Sequence, residues 1–305
     1  MMDHSTTQNN DHPLLSAFFA ATTALVFWSG TAIANKIAVG YMDGLTAGIL
    51  RSMLAGVLAL VIASILKFPF PRTLKERALL IVSGVASFAV WPVLLSVGIE
   101  QTTAGHAALI MALIPVFTVL IAALVEYRFP RAGWWLGAIT ALFATAILII
   151  NQNSAFQFND GSSIKGDLIV LAGGIICAAG YVAGGKLSAK IGTAATTFWG
   201  LSIALVILVP VFLTISDNTE WLSVTRDAWL AVSWMAFFSS LAGYALWFYA
   251  LGRGGIGRIG SLQLAMPVIT LILATIMLSE SLTIFLTAIC ASIVMGTVVA
   301  QKYAR

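Results

Sequence analysis

The 305 residues are 60% hydrophobic and 9% charged, with a mean hydropathy of +0.98, whereas a soluble domain is nearer a quarter charged and could not hide so much apolar surface. Ten membrane spans of about 20 residues each would use about 200 residues and leave only short connections. The net charge of +4 and pI near 9.2 do not indicate nucleic acid, because the basic residues sit in short loops between apolar runs, where they set membrane orientation.

Residues 1–13 are polar, carry no Lys or Arg, and lack the basic start and cleavage site of a signal peptide, so they are expected to form a disordered tail. Helix-length apolar segments follow at 14–39, 46–66, 78–99, 104–124, 134–150, 166–187, 193–215, 228–252, 257–277 and 282–300. The longest polar connection, residues 151–165, is rich in Asn, Gln, Ser, Asp and Gly and lies near the midpoint. It divides a first five-helix repeat (14–150) from a second (166–301), leaving a short tail at 302–305. Cys177 and Cys290 fall inside predicted spans, remote from each other and from any His cluster, so packing is expected of them and no disulfide, metal or cofactor.

With the N-terminus inside, twelve of the sixteen Lys and Arg residues fall on the inner side and Lys36, Arg51, Lys165 and Arg226 on the outer side. That bias predicts an even number of spans with both termini cytoplasmic, in the inner (cytoplasmic) membrane. The halves also resemble each other. Ala107 to Val116 lines up with Ile259 to Val268, bringing Pro115 onto Pro267, and each half continues to an acidic residue, Glu126 or Glu280. An odd number of spans per half inverts the second repeat relative to the first, an arrangement common in secondary transporters. The fold class is therefore an all-α integral membrane protein of ten transmembrane helices in two inverted five-helix repeats.

These doubled features, with the stretch Thr103-Ala104-Gly105-His106-Ala107-Ala108-Leu109-Ile110, make the chain resemble the drug/metabolite transporter superfamily, in particular its EamA-type ten-helix members and among them the exporters of amino acids and metabolites. The resemblance covers nearly the whole chain. It implies a central cavity lined by the first, third and fourth helices of each half, with alternating access by rocking of the halves.

On those helices Trp28, Trp91, Tyr181, Trp234, Tyr244 and Trp247 could stack on an amphipathic solute. Trp134, Trp135 and Trp221 are expected in interfacial belts. Asn35 and Gln263 are amides that must face protein or water, as cavity lining or interhelical glue. His106 opens the fourth span, where it could donate to a substrate carboxylate, titrate near neutral pH or cap a helix end. Pro115 and Pro267 remove backbone hydrogen bonds in mid-helix and are candidate hinges. Lys36 and Lys186 end their spans and either snorkel or attract an anion. Arg51 reads as an interfacial anchor. Glu100, Glu126 and Glu280 fall at span ends where headgroups or water would solvate them, and no carboxylate is expected at mid-depth.

Function follows from these expectations. The leading reading is a transporter exporting small amphipathic metabolites, most simply amino acids and possibly aromatic ones, by facilitated diffusion. A proton-coupled exporter of drugs or cations is the alternative, weakened by the missing central acid. A polytopic membrane enzyme would need an interfacial cluster of His, Asp or Glu that is not seen. There is no Walker A sequence, and the Gly252, Gly254 and Gly257 spacing follows a helix and not a strand, so nucleotide sites are not expected. The expected partners are a small-molecule substrate and the bilayer, with no nucleic acid and no obligate protein partner.

Overall fold

A membrane-spanning helix must satisfy its own backbone, and what remains open is the first turn, whose N–H groups have no partner within the helix. In the computed structural model, which describes residues 11–151, 161–216, 220–254, 262 and 265–303, hydroxyl and carboxylate side chains close several of those turns. Helix α1 runs Asp11–Val39, so it begins within the stretch expected to be a tail. Helix α2 (Gly44–Ile65) is capped by Asp43, which accepts from the Thr46 N–H. Helix α3 (Leu74–Glu100) opens on a reciprocal Thr73–Glu76 capping box. Helix α4 (Ala104–Glu126) is capped by Thr103, and α5 spans Ala132–Ile150.

The second half repeats this plan. Helix α6 (Ile164–Ile191) is capped by Ser163, α7 spans Thr193–Ile215, and α8 covers 226–254 behind the Thr225 cap. Helix α9 is seen as Met266–Leu278, and α10 (Ile284–Lys302) is capped by Thr283. Nine of the described helices are long and apolar enough to cross a membrane, and α9 is a shorter apolar one. The chain is thus a multi-pass helical membrane protein.

The repeat reaches local detail. Helices α3 and α8 each pass through a π-helical segment, Gly84–Val90 and Trp234–Ala242. Helices α4 and α9 each end in a left-handed residue, Tyr127 (φ 54°) and Ser279 (φ 56°). The largest interfaces pair α5 with α10, α2 with α7, α1 with α8 and α3 with α6. Exchanging the halves maps the first two pairs onto themselves and the last two onto each other.

Small residues set how close these pairs come. A Cβ on Gly137 of α5 would lie 2.3 Å from the Ala300 backbone N of α10, and one on Gly296 would lie 2.7 Å from the Gly137 carbonyl oxygen, so the two helices meet backbone to backbone. Trp134 is 1% exposed against Val116, Ala138 and Ala300. It is a packing residue and not the interfacial one expected, because α10 covers the face of α5 that carries it. The opposite face of α5 exposes Leu136, Ile139 and Phe143 to the position of lipid.

Candidate functional site

Between the halves lies a cavity of about 400 Å³. Its described lining comes from the first, third and fourth helices of both halves and from α2 and α10: Trp28, Thr31, Trp91, Pro115, Tyr181, Ser239, Tyr244 and Pro267 share it with apolar side chains and with Arg51. The composition is that of a small-molecule site, mostly apolar and aromatic with a few polar groups.

Local structure fixes the aromatic wall. The π segment of α8 widens the helical ladder, and there the Ser239 carbonyl accepts the Trp28 indole N–H at 2.9 Å. Thr31 and Ser239 hydroxyls meet at 2.8 Å. With its indole anchored, Trp28 packs edge-on against Tyr244 (5.3 Å between centroids) and against Trp247 (5.2 Å). The Tyr244 and Tyr181 hydroxyls lie 3.4 Å apart, joining α8 to α6 across the cavity.

Arg51 arrives by a different route. Gly44, Gly48 and Arg51 are spaced to share one face of α2. A Cβ on Gly48 would sit 2.6 Å from Val93 Cα, so this face lies directly on the α3 backbone. Arg51 continues that face about 10 Å along the helix from Gly44 and meets the cavity. It is 7% exposed, and its Nε and Nη1 have no hydrogen-bond partner. The expected interfacial anchor is therefore a cavity residue, because packing of glycines on α3 turns it inward. Among the described lining residues it is the one charged group.

The prolines stand differently from the mid-helix hinges expected. Helix α4 is interrupted: Ala104–Met111 stops, and a new segment, Ile114–Glu126, carries Pro115 in its first turn. Pro267 occupies the first turn of Met266–Leu278. A proline there removes an N–H that has no helical acceptor anyway. The break in α4 puts Met111 and Ala112 on the cavity wall, where non-helical backbone at membrane depth is tolerated.

Three of the expected site residues fall elsewhere. Asn35 is fully buried between α1 and α3, donating to the Thr31 carbonyl at 3.1 Å and accepting from the Ser96 hydroxyl. Of its two expected roles it serves as interhelical glue. Trp247 stands behind Trp28 in a cluster with Ala17, Ala21 and Leu25, since the α1–α8 interface covers its ring. His106 is fully buried beyond the end of the cavity, with Nδ1 2.9 Å from Asp167 Oδ2. Gln263 lies outside the described residues.

His106 belongs to a polar layer at the end of the bundle that carries Lys36. Asp167 is itself fully buried and accepts from the Thr102 hydroxyl through its other oxygen. Lys36 Nζ donates to the Ile99 carbonyl (3.0 Å) and to that of Thr102. Glu280, from the second half, accepts from the Ala104 and Gly105 N–H groups at 2.8 and 2.9 Å, closing the start of α4. Glu100 accepts from the Gly44 N–H at 3.0 Å. Glu100, exposed as expected of a span end, and Glu280, partly exposed, thus also cap neighbouring helices, since carboxylates at helix N-termini gain both hydrogen bonds and the dipole. At the opposite end, Lys186 meets Glu126, the repeat counterpart of Glu280, at 3.4 Å with both side chains partly exposed. The cavity extends toward that end as far as Gln301.

The sequence profile of the EamA-like transporter family matches residues 15–150 and 164–300, one copy per half. The uncharacterized transporter YdeK of Bacillus subtilis (strain 168) is 28% identical over 70% of this chain and 72% of its own length. A second uncharacterized transporter of that organism, YyaM, is 30% identical over 66% and 65%. A probable amino-acid metabolite efflux pump of Escherichia coli (strain K12) is 24% identical over 59% and 61%. One crystal structure superposes with a TM-score of 0.63 over 96% of this chain and 99% of that one, at 21% identity, a likeness of fold.

Proposed function

This chain belongs to the EamA-like transporter family, and on that premise we propose that it is a secondary transporter that exports small amphipathic metabolites, amino acids foremost and aromatic ones among them, by alternating access. The observation that carries this reading is the aromatic-lined cavity of about 400 Å³ between the inverted halves, a volume suited to a single small solute. The amino-acid class is supported by the Escherichia coli relative, whose name is that of an amino-acid metabolite efflux pump. Trp28, Trp91, Tyr181 and Tyr244 supply stacking surfaces, and the break in α4 just before Pro115, with Pro267 in the first turn of its counterpart, gives the halves places to flex.

The asymmetry of the two ends supports a cycle of two states. The Lys36 end is tied by Lys36, Glu280, Asp167 and His106, while the Lys186 end holds a partly exposed ion pair. The distribution of basic residues supports a placement of the Lys36 end outside and both termini in the cytoplasm, and the proposed location is the inner membrane. Substrate then enters from the cytoplasm, and the opposite state breaks the Lys36-end layer and closes around the Lys186 end.

No acidic residue is found among the described lining residues, which favours facilitated diffusion. Proton coupling is a second reading, favoured by one feature, the fully buried His106–Asp167 pair in the layer that must open. Counterflow of labelled L-phenylalanine in proteoliposomes, with and without an imposed pH gradient, separates the two. Exchange indifferent to the gradient is the expected result. Uptake against a phenylalanine gradient, driven by the pH gradient and lost in His106→Ala, would establish the coupled reading instead, and absence of exchange for phenylalanine and every other amino acid would remove the amino-acid assignment.

A further inference from the structure

Burying a guanidinium without a partner costs several kcal/mol, and natural proteins tolerate such a group chiefly where function demands it. Arg51 is that case. It is 7% exposed, with Nε and Nη1 lacking hydrogen-bond partners, and no described carboxylate pairs with it. It shares the cavity wall with the rings of Trp28, Trp91, Tyr181 and Tyr244, and the polar groups that act on it are the two phenol hydroxyls and the Cys177 thiol. A guanidinium does not deprotonate at physiological pH, so Arg51 gives the cavity wall a fixed positive charge with no described acidic residue among its lining.

We propose that Arg51 is the anion-binding residue of this cavity, and that the transported solute presents a carboxylate to its free N–H donors while an aromatic or apolar body lies among Trp28, Trp91 and Tyr244. The chemistry selects strongly. A carboxylate supplies both the missing charge and the missing acceptors, in a site where charge-assisted hydrogen bonds are strengthened by low dielectric. A cationic solute meets like charge with no acidic side chain on the described wall to offset it. Because the recognition element is the carboxylate, an ammonium group is not required, and monocarboxylates without one are admitted on equal terms. This rests on the transporter reading for its physiological meaning, but binding by itself can be tested without transport.

Three probes of one shape separate the terms: L-phenylalanine, 3-phenylpropionate, which lacks the ammonium, and phenethylamine, which lacks the carboxylate. Their binding to the purified full-length protein in detergent is read by tryptophan fluorescence and by the shift in thermal midpoint, for wild type, Arg51→Lys and Arg51→Met. The two carboxylates are expected to bind wild type and phenethylamine not to. Arg51→Met should weaken both carboxylates roughly ten- to hundredfold, the range for losing hydrogen bonds to a charged group, with partial recovery in Arg51→Lys. Equal binding of phenethylamine, carboxylate binding unchanged in a folded Arg51→Met, or no carboxylate binding to wild type would each overturn the proposal. Counterflow of the same probes is the separate test of transport: carboxylate binding through Arg51 without counterflow would keep the site and sink the transporter reading, and counterflow of phenethylamine alone would do the reverse.

Discussion

Remove the Asp167 side chain and the Thr102 hydroxyl and the His106 imidazole lose a fully buried acceptor on which both converge. Groups left unsatisfied in this way cost about 1–3 kcal/mol, so Asp167→Ala is expected to lower unfolding stability in detergent by that amount. Asp167→Asn keeps an acceptor oxygen for Thr102 and should lose less. Equal stability of Asp167→Ala and wild type would mean that the layer is already hydrated. Nothing in the sequence marks Asp167 as buried. It lies in the first turn of a predicted span, where an acid is normally solvated or favours the helix dipole, and only the packing of α6 against the start of α4 buries it. Arg51 misleads for a related reason, since a cation two turns from a helix start reads as an anchor. The signal that points the other way is the Gly44, Gly48 and Arg51 spacing, which marks a face packed against backbone. The aromatic residues were easier to read, because any ring on a cavity helix is a candidate. Trp247 shows the limit, being on such a helix and turned toward α1.

At the scale of elements, the interface between α5 and α10 depends on having no side chain at Gly137. Gly137→Val would place a branched side chain where a Cβ alone already lies 2.3 Å from the Ala300 N. The helices must separate, and a stability loss of about 1–3 kcal/mol or more is expected, seen as a lower thermal midpoint or loss of monodisperse protein. A variant as stable as wild type would show that this contact is looser than described. Pro115→Ala tests the break in α4. Proline at a compatible first-turn position restrains the unfolded chain, so its loss should cost only about 0.4–1 kcal/mol. The restored N–H lets the helix continue through residues 112 and 113, and phenylalanine counterflow is expected to slow more than stability falls. Unchanged counterflow would detach the break from the cycle. Span number and helix type follow from the hydrophobic pattern alone. The π segments and the exact breaks do not, because they answer to neighbouring helices.

For the whole molecule, the inverted repeat explains why one chain has two ends built from related residues. Lys36 and Lys186 end the first helix of each half, and Glu280 and Glu126 the fourth, yet they are engaged differently at the two ends. Equivalent sequence in unequal environments is what a two-state transporter requires. The duplication was legible in the sequence through Pro115 and Pro267 and through the acids that follow them. Which end is tied was not, since it depends on how the packed helices bring Lys36, Glu280, Asp167 and His106 together.

The central claim, that the cavity between the halves opens in turn to each side, is tested most directly by side-specific labelling of Ala112→Cys, a cavity-lining position, in a Cys177→Ser, Cys290→Ser background in oriented vesicles. A membrane-impermeant thiol reagent is expected to reach this cysteine from either side of the bilayer, at rates that phenylalanine changes in opposite directions or suppresses on both sides. Labelling from one side only, indifferent to solute, would contradict the account and leave the cavity a pocket with a single mouth.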